Sequence, residues 1–589
     1  MAARYYSFLF KYVRLLAFKN KTLGNTLEKM AAKRPDDDFL LFENDRYTFD
    51  QYNRMANRRA HYFSSQGVRK GTVVLLLMEN RPEFMATVAG LGKLGAITAA
   101  VNYNLRGVAL ANILNASTAN HIIVGAECLP QFMDVAGSLE KIRGPNIYMD
   151  TRYPTKDKSP AGSNDLTQAL LRTQDDNPSS AGIGSDDLMM HIYTSGTTGL
   201  PKPAMITHYR WYGAGLLMGH YALGVKPSDT VYCPLPLYHS NGILIAFASA
   251  LVNGGKFALT RRFSASGFWE EASRHGATCA IYIGELLRYL VNTPSGAFDR
   301  NHKVTRVLGN GLRPDIWGQF KYRFGIDHIR EFYASTEGNA YLLNLDDTDG
   351  SVGKAALKTS DNLRLVRYDI ASEQIIRGHN GFAELCRPGE PGELLAQIKA
   401  LTPFHGYANP KDTEKKILRN VLKTGDAFFS TGDLLRKDDT GHYYFIDRIG
   451  DTFRWKGENV STHEVEEIIT SGVSWVDFAT VYGVEIAKMD GKAGMAALTI
   501  SHSKQFNPEI FFRFVEDHLP HFSRPAFVRV QTAAAMTGTF KKDKKELKAS
   551  GFDPAKVKDP MFYLDRDNKT YSPLDAAAYK RIQSGWLKL

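Results

Sequence analysis

Short apolar runs alternate with longer stretches of helical period along most of this chain. The runs Val73–Leu77, His121–Val124, Met189–Thr194, Thr230–Cys233 and Cys279–Ile283 are short and β-rich. Strands buried on both faces read this way, and helical patterns between them predict an α/β fold with largely parallel sheets. Residues 155–187 are rich in Ser, Asp, Gly and Pro and read as a surface excursion. From Asp361 to Ile398 the alternation changes to that of a small β subdomain. After Asp447 it changes again, to a basic loop, an acidic helix from Thr462, strands near Val481 and Ala496, and a lysine-rich end. The main boundary therefore falls at about 447–451. The expected organisation is an amphipathic helix within 1–21, a large domain over 22–447, and a smaller mobile α+β domain over 448–589. The large domain is expected to hold two α/β sheet subdomains and the β subdomain.

The first twenty residues carry Tyr5, Tyr6, Phe8, Leu9, Phe10, Tyr12, Val13, Leu15, Leu16 and Phe18, interrupted by Arg4, Lys11 and Arg14. Those charges defeat a signal-peptide core. At about 100° per residue the three bases share one side, with Lys21 close by, and aromatics cover most of the rest. Two readings follow: a helix lying in a membrane interface, or one docked on its own domain. No apolar run reaches the ~20 residues of a spanning helix, which argues against a pore. Gly242–Val252 and Met85–Val101 read as core. The chain ends Leu587, Lys588, Leu589, a degraded form of the peroxisomal Ser-Lys-Leu address. The expected location is the peroxisome, or a membrane of the endoplasmic reticulum or lipid droplet, facing the cytosol.

Composition narrows the chemistry. The 589 residues carry a net charge of +11, which suits a polyanionic partner such as nucleic acid, an anionic membrane, or nucleotides and coenzymes. No RNA-binding signature or paired-His zinc finger occurs, so nucleic acid is not expected. Cys128, Cys233, Cys279 and Cys386 lie far apart and form no CxxC pair, against a zinc ribbon, an iron–sulfur cluster or a disulfide scaffold. Several motifs are decoys. Gly90 to Gly95 matches GxGxxG but follows a helical segment and lacks the ribose-binding acid. His463-Glu464 lacks the second His of a zinc peptidase, since that position is Glu467. No GxSxG elbow and no Walker loop is present.

The strongest local signal is Thr194 to Pro203, reading TSGTTGLPKP after a β-rich run. Gly196 and Gly199 let backbone approach a ligand closely. Ser195, Thr197 and Thr198 can join backbone N–H groups around phosphate oxygens, and Lys202 adds positive charge. The string resembles the phosphate loop of the adenylate-forming superfamily. Other blocks resemble that superfamily in the right order: Tyr333 to Gly338 (YASTEG), Ser430 to Asp433 (STGD), Asp447-Arg448, Lys456-Gly457 and Thr537 to Lys541 (TGTFK). Tyr282–Leu290, Gly309–Trp317, Phe332–Asn339, Ile449–Val460 and Phe540 look like its fatty acid transport protein and very-long-chain acyl-CoA synthetase branch.

The resemblance implies two half-reactions, in which a carboxylate and ATP give acyl-AMP and coenzyme A then displaces AMP. ATP, Mg²⁺ and coenzyme A are the implied cofactor and co-substrates. Lys541 should bridge carboxylate and α-phosphate, although without the motif it would read as one lysine of a solvated run to Lys548. Glu337 should hold Mg²⁺ and Thr336 should contact the α-phosphate. Tyr333 should stack on adenine opposite Gly309, Asn310 and Gly311. Asp433 should accept the ribose hydroxyls with help from Arg448, His239 should sit beside the reacting carboxyl, and Gly457 should line the pantetheine path. The hinge position, usually Asp or Lys, is Gly450 here, followed by Asp451. The expected substrate is a long- or very-long-chain fatty acid. Alternatives are a bulky secondary-metabolite, sterol-derived or peptidyl acid, a membrane uptake protein that traps fatty acid by activation, and an adenylation module feeding a carrier.

Overall fold

The computed structural model describes residues 2–153, 158–194, 201–355, 362–400, 402–487, 489, 491–501, 504–534, 536 and 543–584. The phosphate-loop residues Ser195, Gly196, Thr197, Thr198 and Gly199, the lysine Lys541 and the terminal Leu587–Leu589 lie outside them.

Two α/β sheets form the body. The first has seven strands in the order Asn164–Asp165, Ile147–Asp150, His121–Gly125, Val73–Leu77, Ile97–Ala100, Leu188–Thr194 and Lys202–Thr207. Every pair is parallel except the last, where Thr194 faces Lys202. The second has nine strands, with Thr230–Cys233, Cys279–Ile283, Arg306–Asn310 and His328–Ala334 parallel in its interior. All five apolar runs singled out in the sequence are strands of these sheets. Their side chains are buried on both faces because helices cover both sides.

The glycine-rich decoy ends the helix Pro82–Lys93, which is buried throughout. A Cβ at Gly90 would stand 2.6 Å from the Ala56 carbonyl oxygen, so that glycine serves close packing. The stretch 155–187 is less superficial than its composition suggests. Asn164–Asp165 adds an edge strand, and the helix Leu166–Leu171 buries Leu166 and Leu170 beneath it. Two leucines four apart were signal enough for an anchored helix, masked by polar neighbours.

The β subdomain extends beyond Ile398. Leu363–Val366, Gly392–Gln397, Ala427–Lys437, Ile417–Arg419 and Tyr443–Arg448 form an antiparallel sheet. Residues 453–582 have a separate hydrophobic core around the strands Val476–Val484, Ala493–Ile500 and Phe527–Gln531. The acidic helix is Thr462–Gly472, capped by the Ser461 side chain. The lysine-rich run is not simply solvated: Lys544 is buried, its Nζ 3.0 Å from Glu466 and 2.7 Å from Thr462 Oγ1.

Helix α1 (Ala2–Ala17) docks on the body through Phe8 and Leu15, both in the main core. Its bases do not all face outward. Lys11 donates to His220 Nδ1 at 3.2 Å, and Arg4 lies against Gly224. Helix α2 (Gly215–Leu223) runs beneath it in π-helical geometry, as does Asn241–Phe247. Wide π turns often mark functional sites. Here Gly219 lets α2 press against Ser249, whose Cα would stand 2.7 Å from an added Cβ.

Candidate active site

Ligands of open α/β sheets gather at the carboxyl ends of the strands. Thr194, Asn310 and Ala334 end three such strands. The segment after Ala334 carries Thr336 and Glu337, so strand geometry alone brings much of the predicted site together.

Tyr333, Asp433 and Arg448 form one group. Tyr333 Oη donates to Asp433 Oδ2 at 2.6 Å, and Arg448 Nε stands 3.9 Å from Asp433 Oδ1. Asp433 and Arg448 are also register partners on adjacent strands. Burial and the neighbouring Asp433 carboxylate push the Tyr333 phenol well above its ordinary pKa, so it stays a neutral donor.

Gly309 and Asn310 end the strand that pairs with the Tyr333 strand, and Gly311 follows them. A Cβ at Gly309 would collide with the Tyr282 carbonyl, and Gly311 has φ +83°, so both positions require glycine. The loop is fastened from below by Glu331, which accepts Gly311 N–H, Leu312 N–H and Tyr282 Oη–H at 3.0, 3.0 and 2.6 Å. Burial raises the Glu331 carboxyl to about 8 despite those donors. Asn310 Oδ1 accepts from Asn241 Nδ2 at 2.8 Å, and the Asn241 backbone N–H donates to His239 Nδ1 at 3.4 Å. Thr336 Oγ1 and Ser240 Oγ lie 3.2 Å apart. His239 therefore joins the group through its neighbours.

Glu337 and Lys202 form a second group through a residue that the sequence reading missed. Tyr407 Oη donates to Glu337 Oε1 at 2.7 Å, and Lys202 Nζ sits 5.6 Å from the centre of the Tyr407 ring. Lys202 is also paired with Asp412 at 3.1 Å, and Thr194 donates to the Lys202 carbonyl at 3.3 Å. Arg210, equally unforeseen, donates to the carbonyls of Glu337 and Gly338 at 3.2 and 2.9 Å. Tyr407, Asp412 and Arg210 stand in no motif, and nothing in their spacing pointed to them.

Among the described residues no cluster of three or more His, Cys, Asp or Glu can hold a metal alone. Glu337 nonetheless suits Mg²⁺, which takes one or two carboxylates and completes its shell with phosphate oxygens and water. Its Oε2 has no hydrogen bond among the described residues, since the Tyr407 bond uses Oε1.

Gly457 and Gly450 lie apart, near the start of the C-terminal region. Gly457 follows Lys456 at the tip of the hairpin Phe453–Trp455/Glu458–Val460, with φ +85° and +51° respectively. A Cβ at Gly457 would meet nothing within 4 Å. The tight turn, rather than obstruction by surrounding protein, explains this glycine. Gly450 has no left-handed φ, and its carbonyl accepts from Lys548 Nζ at 3.0 Å.

A largely apolar cavity leads from Thr336 and Ser240 to helix α1, with an empty volume of about 1220 Å³ that includes open solvent at its mouth. Leu217, Met218, Leu244 and Ile245 line it, together with Phe8 and Tyr12 of α1. His405 lines its polar end, and burial lowers that imidazole to about 4, so it is neutral at physiological pH.

The polar groups at the strand ends and the apolar cavity beside Thr336 belong to a chain with recognisable relatives. Residues 27–407 match the AMP-binding enzyme family. The chain belongs to the AMP-binding enzyme family. It is 39% identical over 587 residues to long-chain fatty acid transport protein 2 of Rattus norvegicus, covering 97% of this chain and 92% of that one. It is 37% identical to the medium/long-chain-fatty-acid–CoA ligase FadD6 of Mycobacterium tuberculosis, covering 97% and 93%. Among solved structures, the anthranilate CoA ligase AuaEII in complex with anthranoyl-AMP superposes with a TM-score of 0.76 at 21% identity, covering 90% of this chain and 96% of that one. That likeness bears on the fold, which is the α/β architecture expected from the sequence.

Proposed function

We propose that this AMP-binding enzyme is an ATP-dependent acyl-CoA synthetase for a long hydrophobic acid. The observation that carries the reading is the cavity that joins an apolar wall to Ser335 and Thr336, close in the chain to Tyr333, which bonds Asp433. In the first half-reaction a carboxylate oxygen attacks the α-phosphorus of ATP, and the bond to pyrophosphate breaks. In the second the coenzyme A thiolate attacks the acyl carbonyl and AMP leaves.

The residues divide the work. Asp433 and Arg448 hold the ribose, Tyr333 and the Gly309–Gly311 loop hold adenine, and Thr336 contacts the α-phosphate. The 194–199 loop and Lys202 meet the outer phosphates. Glu337 would hold Mg²⁺, which would supply charge to offset the phosphates. His239 orients the carboxylate. Bringing two anions together requires fixed positive charge and donors, and preorganised groups supply it without reorganisation. Lys541 bridges the two anions from the C-terminal region, 448–589, which acts as a lid hinged near Gly450. Gly457 borders the path of the thiol.

Helix α1 and its flanking bases hold the enzyme at a membrane surface, where a long acid partitions. No described helix is long and apolar enough to cross a bilayer. A peroxisomal, reticular or lipid-droplet surface facing the cytosol fits this mode of contact. Relatives are named fatty acid transport proteins, and activation to a thioester would trap an imported acid without a pore.

The test is a screen of coenzyme-A-dependent AMP release across acids graded in length and polarity. Release should rise with acyl length. Preference for a polar aromatic or peptidyl acid would replace the fatty-acid assignment, and AMP release independent of coenzyme A would point to a carrier-protein acceptor.

A further inference from the structure

Helix α1 has two apolar sides, and the fold uses one of them. Phe8 and Leu15 are 1% exposed, whereas Tyr6, Phe10 and Val13 are 68%, 65% and 60% exposed. Both sets recur at helical period, half a turn out of phase. Phe18, just past the helix, is 52% exposed. Tyr6, Phe10, Val13 and Phe18 together make an aromatic stripe of a kind that marks a contact surface.

The inner side is more than packing. Phe8 and Tyr12 form part of the cavity wall whose far end is Thr336. One helix, about 10 Å across with its side chains, therefore separates the acyl cavity from the exposed stripe. Its attachment is also suited to release. Lys11 Nζ donates to His220 Nδ1 at 3.2 Å, and the other His220 ring nitrogen lies 3.0 Å from Ser7 Oγ. The Tyr12 and Tyr209 hydroxyls meet at 2.6 Å, and Phe8 stacks on Tyr221 of α2 at 5.3 Å. The Lys11–His220–Ser7 contacts lie near the surface and can be exchanged for water or headgroups, whereas Phe8 and Leu15 sit in the core and must be drawn out for the helix to move.

Charge selects the occupant of the stripe. Arg14 sits 5.8 Å from the centres of both the Phe10 and Phe18 rings. Lys19, which pairs with Asp186 at 2.6 Å, and Lys21, 6.0 Å from the centre of the Tyr212 ring, follow, and the first turn of the helix has no acid. An aromatic stripe rimmed by bases fits an anionic lipid surface.

We propose that α1 is the gate of the acyl cavity and that docking of its outer face on an anionic bilayer opens it. The acid then passes from the leaflet, past Phe8 and Tyr12, to Thr336 without crossing water. This rests on the acyl-CoA synthetase reading and adds a route and a trigger to it.

The test pins α1 shut. Ser7→Cys and His220→Cys, introduced with Cys386→Ser, are joined by a short reducible bis-thiol reagent. Pyrophosphate release is then followed with a short water-soluble acid and with a long saturated acid carried in vesicles of mixed zwitterionic and anionic phospholipid. Pinning should slow the vesicle-borne reaction ~10-fold or more relative to the soluble one, as a blocked gate does, and reduction should restore it. Equal slowing of both acids, or of neither, overturns the gate. If even the unpinned enzyme turns over no acid, the synthetase reading falls first, and that result is separately visible. A second variant, Tyr6→Ser/Phe10→Ser/Val13→Ser, should lose vesicle binding ~10-fold or more, since each buried large side chain is worth about a factor of ten. It should keep its rate on the soluble acid. Unchanged vesicle binding by this variant removes the bilayer as the occupant of the stripe.

Discussion

Around the proposed nucleotide site, neighbouring strands hold Tyr333, Asp433, Arg448 and the Gly309–Gly311 loop by polar contacts and strand register. At the acyl end, the wall is assembled from α1, α2 and the Asn241–Phe247 turn, packed mainly through side chains. The difference follows from what each end must recognise. A nucleotide presents fixed donors and acceptors, so its site needs rigid placement. An acyl chain presents only shape, so its wall can shift and still bind. Lesions at the two ends should therefore produce different kinds of failure.

The largest effect belongs to Lys541→Ala. Acyl-AMP formation should fall by ~10²–10³-fold, the cost of losing a preorganised charge at the transition state. Thioester formation from supplied acyl-AMP should continue. Equal loss in both half-reactions would remove the lysine from its adenylation role.

Next comes Asp433→Ala, which deletes charged acceptors worth ~1.5–3 kcal/mol each. ATP affinity should drop about tenfold or more, and discrimination against deoxyribose analogues should weaken. The acid-length profile should stay as it was. A shifted length profile would mean that the two ends are not separable.

Gly213→Ile probes the opposite end. Gly213 lines the cavity, and a Cβ there would stand 3.7 Å from Leu15 of α1. The added side chain should move the preferred acid to shorter lengths, by ~0.8 kcal/mol for each methylene displaced, with the ATP constant unaltered. A changed ATP constant with the same length preference would contradict the division.

The last prediction concerns pH and stability and not either end's chemistry. Burial raises the folded pKa of Glu331 from 4.5 to about 8. The folded state thus holds that proton more tightly, and the associated stability is full below 4.5 and declines as pH rises to about 8. Wild-type melting temperature should fall more steeply across that window than that of Glu331→Gln. Parallel slopes would mean that Glu331 ionises as freely as in the unfolded chain.

The same contrast explains what was legible beforehand. The buried parallel strands announce themselves as apolar runs because both of their faces are covered. Tyr333, Asp433 and Gly309 lie in contiguous motifs because one strand end positions several groups at once. The apolar wall draws single residues from positions 8, 12, 217 and 244, and no local pattern connects them. Tyr407 escaped notice for the same reason, since its role exists only through the fold that sets it against Glu337. The strands Met561–Asp565 and Thr570–Pro573 and the helix Ala576–Ser584 were also unread. Their buried positions, such as Tyr571 and Ile582, are scattered among polar neighbours.

Asp447, one strand position before Arg448, accepts from the backbone amide of Thr462 at 2.6 Å and from its hydroxyl at 3.0 Å. Asp451, just past Gly450, is held by Lys548 at 2.7 Å. The joint is thus clamped on both sides, leaving a span of three residues, Arg448 to Gly450, between the clamps. Any rotation there must first strip the Asp447 carboxylate of its partners inside a buried site. If the C-terminal region turns at this joint as proposed, it works against a detent and should leave this pose in a discrete step instead of drifting. Protection of the Thr462 amide against solvent exchange would serve as the clock of that step.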